Sequence, residues 1–333
     1  MATRMPAEWE PHKATWMAFP HNRGDWPGKY EAALQTWVEI VRVLSEHEPV
    51  NILVSTKHED RCVAILRENH ALDYLNIALY NFPTDRSWVR DTAPIFTETA
   101  AILFQFNGWS KYKNHKQDAR VAARICHFAN TLPVVTAEYC GNRVVLEGGA
   151  IDVNGAGMLM ATKECLLSKV QERNADITRE GYEYLFEHYL GINRVIWLEG
   201  GIESDDTHGH IDDVARFVGP NTVLAAIEHN TADPNHAVLA KNLEILHDAG
   251  LTVCQIPMPS PVYYNGERLP ASYCNFYVAN EVVLVCVFND NMDSVVISII
   301  KECFPDRKVI GIYCRDYVLG LGTIHCSTMQ QPA

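Results

Sequence analysis

Short apolar runs alternate with helix-period segments along nearly the whole chain, and reactive side chains recur near the ends of those runs. Such alternation points to an α/β protein, because parallel strands need a crossover segment, usually helical, before they can pair. Strands are expected at Pro49–Ser55, Tyr74–Tyr80, Ala101–Phe106, Val144–Leu146, Met158–Ala161, Val223–Ala226, Leu251–Ile256, Val282–Phe288 and Val309–Ile312. Helices are expected at His58–Asn69, Gln117–Asn130, Ile177–Leu190, Asn235–Ala249 and Met292–Cys303. The reactive text sits at Arg90-Asp91, Glu147-Gly148-Gly149, His210-Ile211-Asp212, Asn275 and His325-Cys326, spaced roughly 50 to 65 residues apart. A unit of that length holds two or three strands and a helix, and repeating it sets the functional tips around one axis. No sequence identity between units is visible, so evenly spaced strand ends in an ordinary α/β protein fit the same text.

No low-complexity tract, Gly/Ser linker or block of like charge divides the chain, so residues 1–333 read as a single catalytic domain. There are 28 basic and 41 acidic side chains, a formal net charge of −13. That balance disfavours nucleic acid and anionic membrane as partners and suits a cationic ligand. The opening MATRMPAEWEPHK lacks an apolar segment behind a basic start, and no run approaches the ~18 apolar residues needed to span a bilayer. Ten cysteines without a C-x-x-C pair, most of them in apolar text, read as buried thiols in a reducing cytoplasm. Phosphate-cradling glycine motifs are absent, so nucleotide chemistry is unsupported.

Cys326 stands apart from the other thiols because its surroundings, GLGTIHCSTMQQP, are polar and rich in glycine. In DDTHGHIDD (Asp205–Asp213), His210 and Asp212 are two apart and would share one side of an extended segment. An imidazole there can protonate a leaving amine and then deprotonate water. The same text contains His208-x-His210-x-Asp212, the pattern of a binuclear zinc site, but no second His cluster completes it. In SWVRDTAP, Asp91 is expected after a short strand, Trp88 offers a wall for a flat cation, and Arg90 reads as a structural partner for a carboxylate. Glu147 ends the apolar text VVL before two glycines and, if buried, needs a partner such as His210. Trp197–Gly201 repeats Glu-Gly-Gly, so that motif alone singles out neither glutamate.

Taken in order, these segments resemble the agmatine deiminase family, which shares motifs with Porphyromonas-type peptidylarginine deiminases within the guanidine-modifying (pentein) superfamily. The resemblance runs from MPAEWEPHKATWMAFPHNRGDW through SWVRDTAP, VVLEGGAIDVNG, TKECLLS, DDTHGHIDDVARFV and ASYCNFYVAN to GTIHCSTMQQP. It implies a five-bladed, pseudo-symmetric α/β propeller of ββαβ units. It also implies hydrolysis of agmatine to N-carbamoylputrescine and ammonia, as in polyamine metabolism, with no metal and no cofactor. By the same resemblance Cys326 is the nucleophile, His210 the acid and base, and Glu147 the carboxylate that orients His210. Asp91 and Asp212 clamp the guanidinium, while Trp88, Asp205 and Asp206 are candidates for the substrate's tail. A homo-oligomer is a further implication. The chain departs from the family's usual text at Phe19, Asp85, Arg86, Ala93, Ala150, His208, Leu321 and Thr323. Several of these flank the expected pocket, and two alternatives to agmatine hydrolysis stay open. One is a deiminase of another guanidine, peptidyl-arginine included; the other is a non-catalytic guanidine- or polyamine-binding protein.

Overall fold

A computed structural model describes residues 4–73, 76–129 and 132–333. The expected strand Tyr74–Tyr80 and helix Gln117–Asn130 each include an end that lies outside the described residues. The chain forms two compact units. The first comprises Met1–Glu8 and Asp91–Met258, and the second Trp9–Arg90 and Pro259–Ala333.

The first unit contains three small sheets built to one plan. Their strands are Ile95–Phe96, Ala101–Leu103 and Val134–Thr136; Asp152–Val153, Met158–Thr162 and Arg194–Leu198; and Ala215–Gly219, Thr222–Ile227 and Thr252–Pro257. In each sheet the central strand runs antiparallel to the strand before it and parallel to the strand after it. The parallel step is bridged by the helices Val121–Ala129, Arg179–Leu190 and Asn235–Asp248, respectively. The Arg179–Leu190 helix shows how sequence sets these boundaries. Thr178 caps its first turn by accepting from the Gly181 N–H, and Gly191, at φ 71°, supplies the left-handed residue that ends it. Its buried face (Tyr182, Leu185, Phe186, Leu190) packs into a core with Leu146, Leu159 and Trp197. Each such aliphatic or aromatic side chain contributes about 1.5–3 kcal/mol by leaving water.

The second unit repeats the plan twice. Tyr277–Val278, Val282–Val287 and Lys308–Tyr313 form one sheet, with helix Asp293–Cys303 in its crossover. In the other, Met329–Pro332 pairs antiparallel with His12–Ala18, which pairs parallel with Val50–Val54 after helix Tyr30–Ser45. A fourth strand, Ile77–Asn81, follows helix Thr56–Glu68. Val282–Cys286 is buried at every position, which explains a sequence, VVLVC, without polar alternation. Among the described residues, no helix is long and apolar enough to cross a membrane.

The expected Val144–Leu146 strand is reduced to a single parallel bridge between Gln105 and Val145. Asn174 occupies its other edge, donating to the Val145 carbonyl (2.8 Å) and accepting from the Val145 N–H (2.9 Å). A side-chain amide thus takes the place of a neighbouring strand. The sixteen-residue helix Tyr30–Ser45 was not among the expected elements. It is buried around most of its circumference, with Glu31 and Gln35 on the exposed strip, and Tyr30, Ala33, Leu34, Trp37, Val38, Val41 and Leu44 follow a helical period that the sequence did carry.

Candidate active site

In the first unit, three ionisable side chains converge on Gly149, and a fourth, Glu147, reaches the far side of the His210 ring. A Cβ at that glycine would lie 2.6 Å from His210 Nδ1, 2.9 Å from Asp91 Oδ1 and 3.1 Å from Asp212 Oδ2. The second glycine of Glu147-Gly148-Gly149 is therefore there for space. Its N–H also donates to Asp91 Oδ1 at 3.0 Å. His210 Nδ1 lies 3.8 Å from Asp91 Oδ1 and 3.9 Å from Asp212 Oδ1, while Nε2 lies 3.7 Å from Glu147 Oε2. All four side chains are buried.

Local backbone geometry differs from the extended strand ends expected from sequence, and each difference has a cause. Asp91 sits in a one-turn helix, Val89–Thr92, rather than after a strand. Its Oδ2 accepts from the indole N–H of Trp109 at 2.9 Å. Trp109 is held at φ 56°, a left-handed conformation that is costly for a bulky residue and that sequence gives no sign of. Asp212 belongs to a 3₁₀ turn, Ile211–Asp213, that begins just after His210. The turn follows from Asp205, whose carboxylate accepts from the N–H groups of Thr207, Gly209 and His210. Asp205 thus holds the loop from within. Asp206 is paired with Lys111 and accepts from Tyr112 Oη at 2.8 Å.

The two Glu-Gly-Gly motifs separate clearly. Glu147 is fully buried, and its Oε1 accepts from Arg173 Nε at 2.9 Å. Glu199 is half exposed and pairs with Lys163. Arg173 was not singled out in the sequence, where it lies in unremarkable polar text. It also donates to the carbonyls of Gln171 (2.8 Å) and Thr207 (2.6 Å), tying Glu147 to the His210 loop. Thr162 braces that loop from the other side, donating to the Gly209 carbonyl at 2.5 Å while capping Cys165 N–H.

These neighbours set the protonation states. Burial would raise Glu147, but the Arg173 charge and the His210 contact outweigh it and bring its pKa down to about 2. Burial would lower His210, yet the Asp91 charge, with Cys165 and Glu147, raises it well above 6.5. Asp91 is raised, chiefly by burial, against the opposing pull of His210. The carboxylates around His210 therefore favour its protonated form over the neutral ring.

His208 and His210 face different partners. His208 lies near Glu164 and Ser168, and so does not complete the H-x-H-x-D metal pattern with His210. Among the described residues, the group with donor atoms placed as metal ligands is Glu147, Cys165 and His210, all within 4.8 Å of one another.

In the second unit, Cys326 sits in a 3₁₀ turn, His325–Ser327, and is buried. Gly322 opens the space beside it: a Cβ there would lie 3.1 Å from both Cys326 Cβ and the Trp88 ring. Trp88 packs in an aromatic cluster with Trp26 and Tyr317. Arg90 donates to the His325 carbonyl (3.3 Å) and to Gln330 Oε1 (2.8 Å), bracing the Cys326 turn. Asn275 was marked in the sequence without a role. Its side chain donates to Cys326 Sγ at 3.2 Å.

A family model described as Porphyromonas-type peptidyl-arginine deiminase matches residues 4–332. The chain belongs to that family. Its relatives include a Legionella pneumophila (strain Paris) protein named "Putative agmatine deiminase", 33% identical across 98% of this chain and 95% of that protein. Among solved structures, the agmatine deiminase of Enterococcus faecalis is 27% identical, with a TM-score of 0.90 over 99% of this chain and 96% of that one. A substrate-bound agmatine deiminase from C. jejuni is 29% identical, with a TM-score of 0.88 over the same shares. An amidinotransferase from Microseira wollei, 15% identical with a TM-score of 0.59 over 98% and 96%, shares the fold alone.

Proposed function

We propose that this protein hydrolyses agmatine to N-carbamoylputrescine and ammonia. The observation that carries the reading is the convergence of Asp91, Asp212 and His210 on Gly149, in a chain aligned end to end with agmatine deiminases. Asp91 and Asp212 accept N–H bonds from the planar guanidinium and hold its carbon for attack. The Cys326 thiolate adds to that carbon. His210 protonates the departing nitrogen, which leaves as ammonia, and an amidino-thioether remains on Cys326. The neutral imidazole then takes a proton from water, the hydroxide adds to the same carbon, and collapse releases the urea product and the thiolate. Glu147, fixed by Arg173, steadies the ring and its charge.

Trp88 is assigned to the aliphatic chain of the substrate. Asp206 is assigned to its terminal ammonium, which would take the place of the partly exposed Lys111 cation. We take residues 1–333 as one catalytic domain. The five sheets of like plan support a five-bladed pseudo-symmetric propeller. A cytoplasmic address fits the free thiols, seven of which are buried. Homo-oligomerisation remains part of the proposal on family grounds.

The test is incubation with agmatine, arginine and an arginyl peptide, with ammonia release measured, followed by rapid quenching and mass analysis. Agmatine turnover and an agmatine-minus-ammonia adduct on Cys326 are expected. Turnover of arginine or peptide alone would move the substrate to another guanidine. Ligand binding without ammonia release would make the protein a binder.

A further inference from the structure

The amide of Asn275 is completely buried, and its two ends do different work on the same loop. Its Oδ1 accepts from Thr323 Oγ1 at 2.7 Å, from His325 N–H at 3.1 Å and from Cys326 N–H at 3.3 Å. Three donors on one oxygen determine the orientation of the amide. A flip would set the NH₂ group against three hydrogens and leave all three donors without that acceptor. Nδ2 is thereby obliged to face Cys326 Sγ, at 3.2 Å.

A second layer supports the first. Cys286 donates through Sγ to Thr323 Oγ1 (3.1 Å) and to the Asn275 carbonyl (3.2 Å). Thr323 is buried. Its hydroxyl is committed in both directions, accepting from Cys286 and donating to Asn275. Successive donors aligned toward Sγ polarise one another, strengthening the last bond in the chain.

We propose that Asn275 is the positioning residue for the nucleophile. It fixes the backbone of the Cys326 turn and donates to the sulfur, favouring the thiolate over the thiol, while Thr323 and Cys286 lock its orientation. An N–H donor stabilises a charged sulfur more than a neutral one, so the effect lies in the ionisation and aim of the nucleophile. The inference rests on the reading of Cys326 as nucleophile.

The test reads the thiol directly, without substrate. The rate of Cys326 alkylation by iodoacetamide is followed against pH, with the modified peptide identified by mass, in wild type, Asn275→Asp and Thr323→Val. Asn275→Asp keeps an acceptor for the loop donors and removes the donor to sulfur. Its alkylation midpoint is expected to move up by about one unit or more, with kcat at neutral pH down about tenfold and KM little changed. Thr323→Val, which retains Asn275 but frees its amide, is expected to shift the midpoint in the same direction by less. It also carries the test if Asn275→Asp does not fold. Midpoints matching wild type in the folded variants would overturn the proposal. Persisting turnover in Cys326→Ala would instead overturn the nucleophile reading, an outcome the alkylation midpoints do not depend on.

Discussion

Gly149 concentrates the constraint on the imidazole cluster, because three polar atoms already occupy the space its side chain would need. Asp91, His210 and Asp212 are all buried, so none can swing into solvent to make room. Gly149→Ala is expected to cost about 1–3 kcal/mol of stability by overpacking and, with Asp91 and Asp212 as the proposed guanidinium clamp, to lower kcat/KM by at least about a hundredfold as they spread. Steady-state kinetics beside a urea melt would separate the two effects. Glu147 makes a different prediction. Its carboxyl is brought down from 4.5 to about 2, so its stabilising contribution is complete above about pH 4.5 and is lost as pH falls through about 2. The sign for His210 is opposite. Its raised pKa stabilises the fold fully below about pH 6.5, and the contribution fades as pH rises through the folded-state value. Glu147→Gln should flatten the acid limb between pH 4.5 and 2, worth on the order of 3 kcal/mol, and should destabilise at neutral pH because Arg173 loses its buried counter-charge. Urea melts across that range would check both. The clustering of Asp91, Glu147, His210 and Asp212 was legible because polar groups beside glycines at the ends of apolar runs are expensive unless paired. Arg173 and Trp109 were not, since one lies in ordinary charged text and the other depends on a left-handed backbone.

At the scale of elements, sequence and structure agree where packing imposes a period. The helices Asn235–Asp248 and Asp293–Cys303 and the strands Val282–Val287 and Lys308–Tyr313 fall within a few residues of expectation. Agreement fails where a side chain replaces a backbone partner. Val144–Leu146 has strand composition, yet Asn174 holds both polar groups of Val145, and no pattern in the text announces that substitution. Asn174 also donates to Tyr182 Oη at 2.8 Å, linking the segment to the helix behind it. Asn174→Ala should therefore leave buried peptide groups without their partner and cost about 1–3 kcal/mol. Faster amide hydrogen exchange at Val145 than at Leu159 in the neighbouring sheet would place the loss in this segment. Unchanged exchange at Val145 would mean that the side-chain amide is not what holds it. The His210 loop obeys the same logic, since the carboxylate of Asp205 replaces strand neighbours and coils the segment into a 3₁₀ turn.

Over the whole molecule, the alternating plan was legible because the ββαβ unit recurs, while the division into two compact units was not marked by any linker or shift of composition. The net charge of −13 is a property at this scale, and it has a kinetic consequence for a cationic substrate. Long-range attraction raises the encounter rate but contributes little once the guanidinium sits between carboxylates, where solvent is excluded and salt screens poorly. Added salt should therefore act on capture and leave chemistry alone. Raising ionic strength from about 0.01 M to about 0.5 M, which shortens the Debye length from about 30 Å to a few ångströms, is expected to lower kcat/KM for agmatine severalfold, through KM, with kcat unchanged. A neutral ion pair of substrate charges would lose less, so free arginine, whose carboxylate offsets one of its two cations, serves as the control wherever its turnover is measurable. A kcat that falls in parallel with kcat/KM would place the salt effect on the buried Glu147, Arg173 and His210 network instead of on the field of the whole chain.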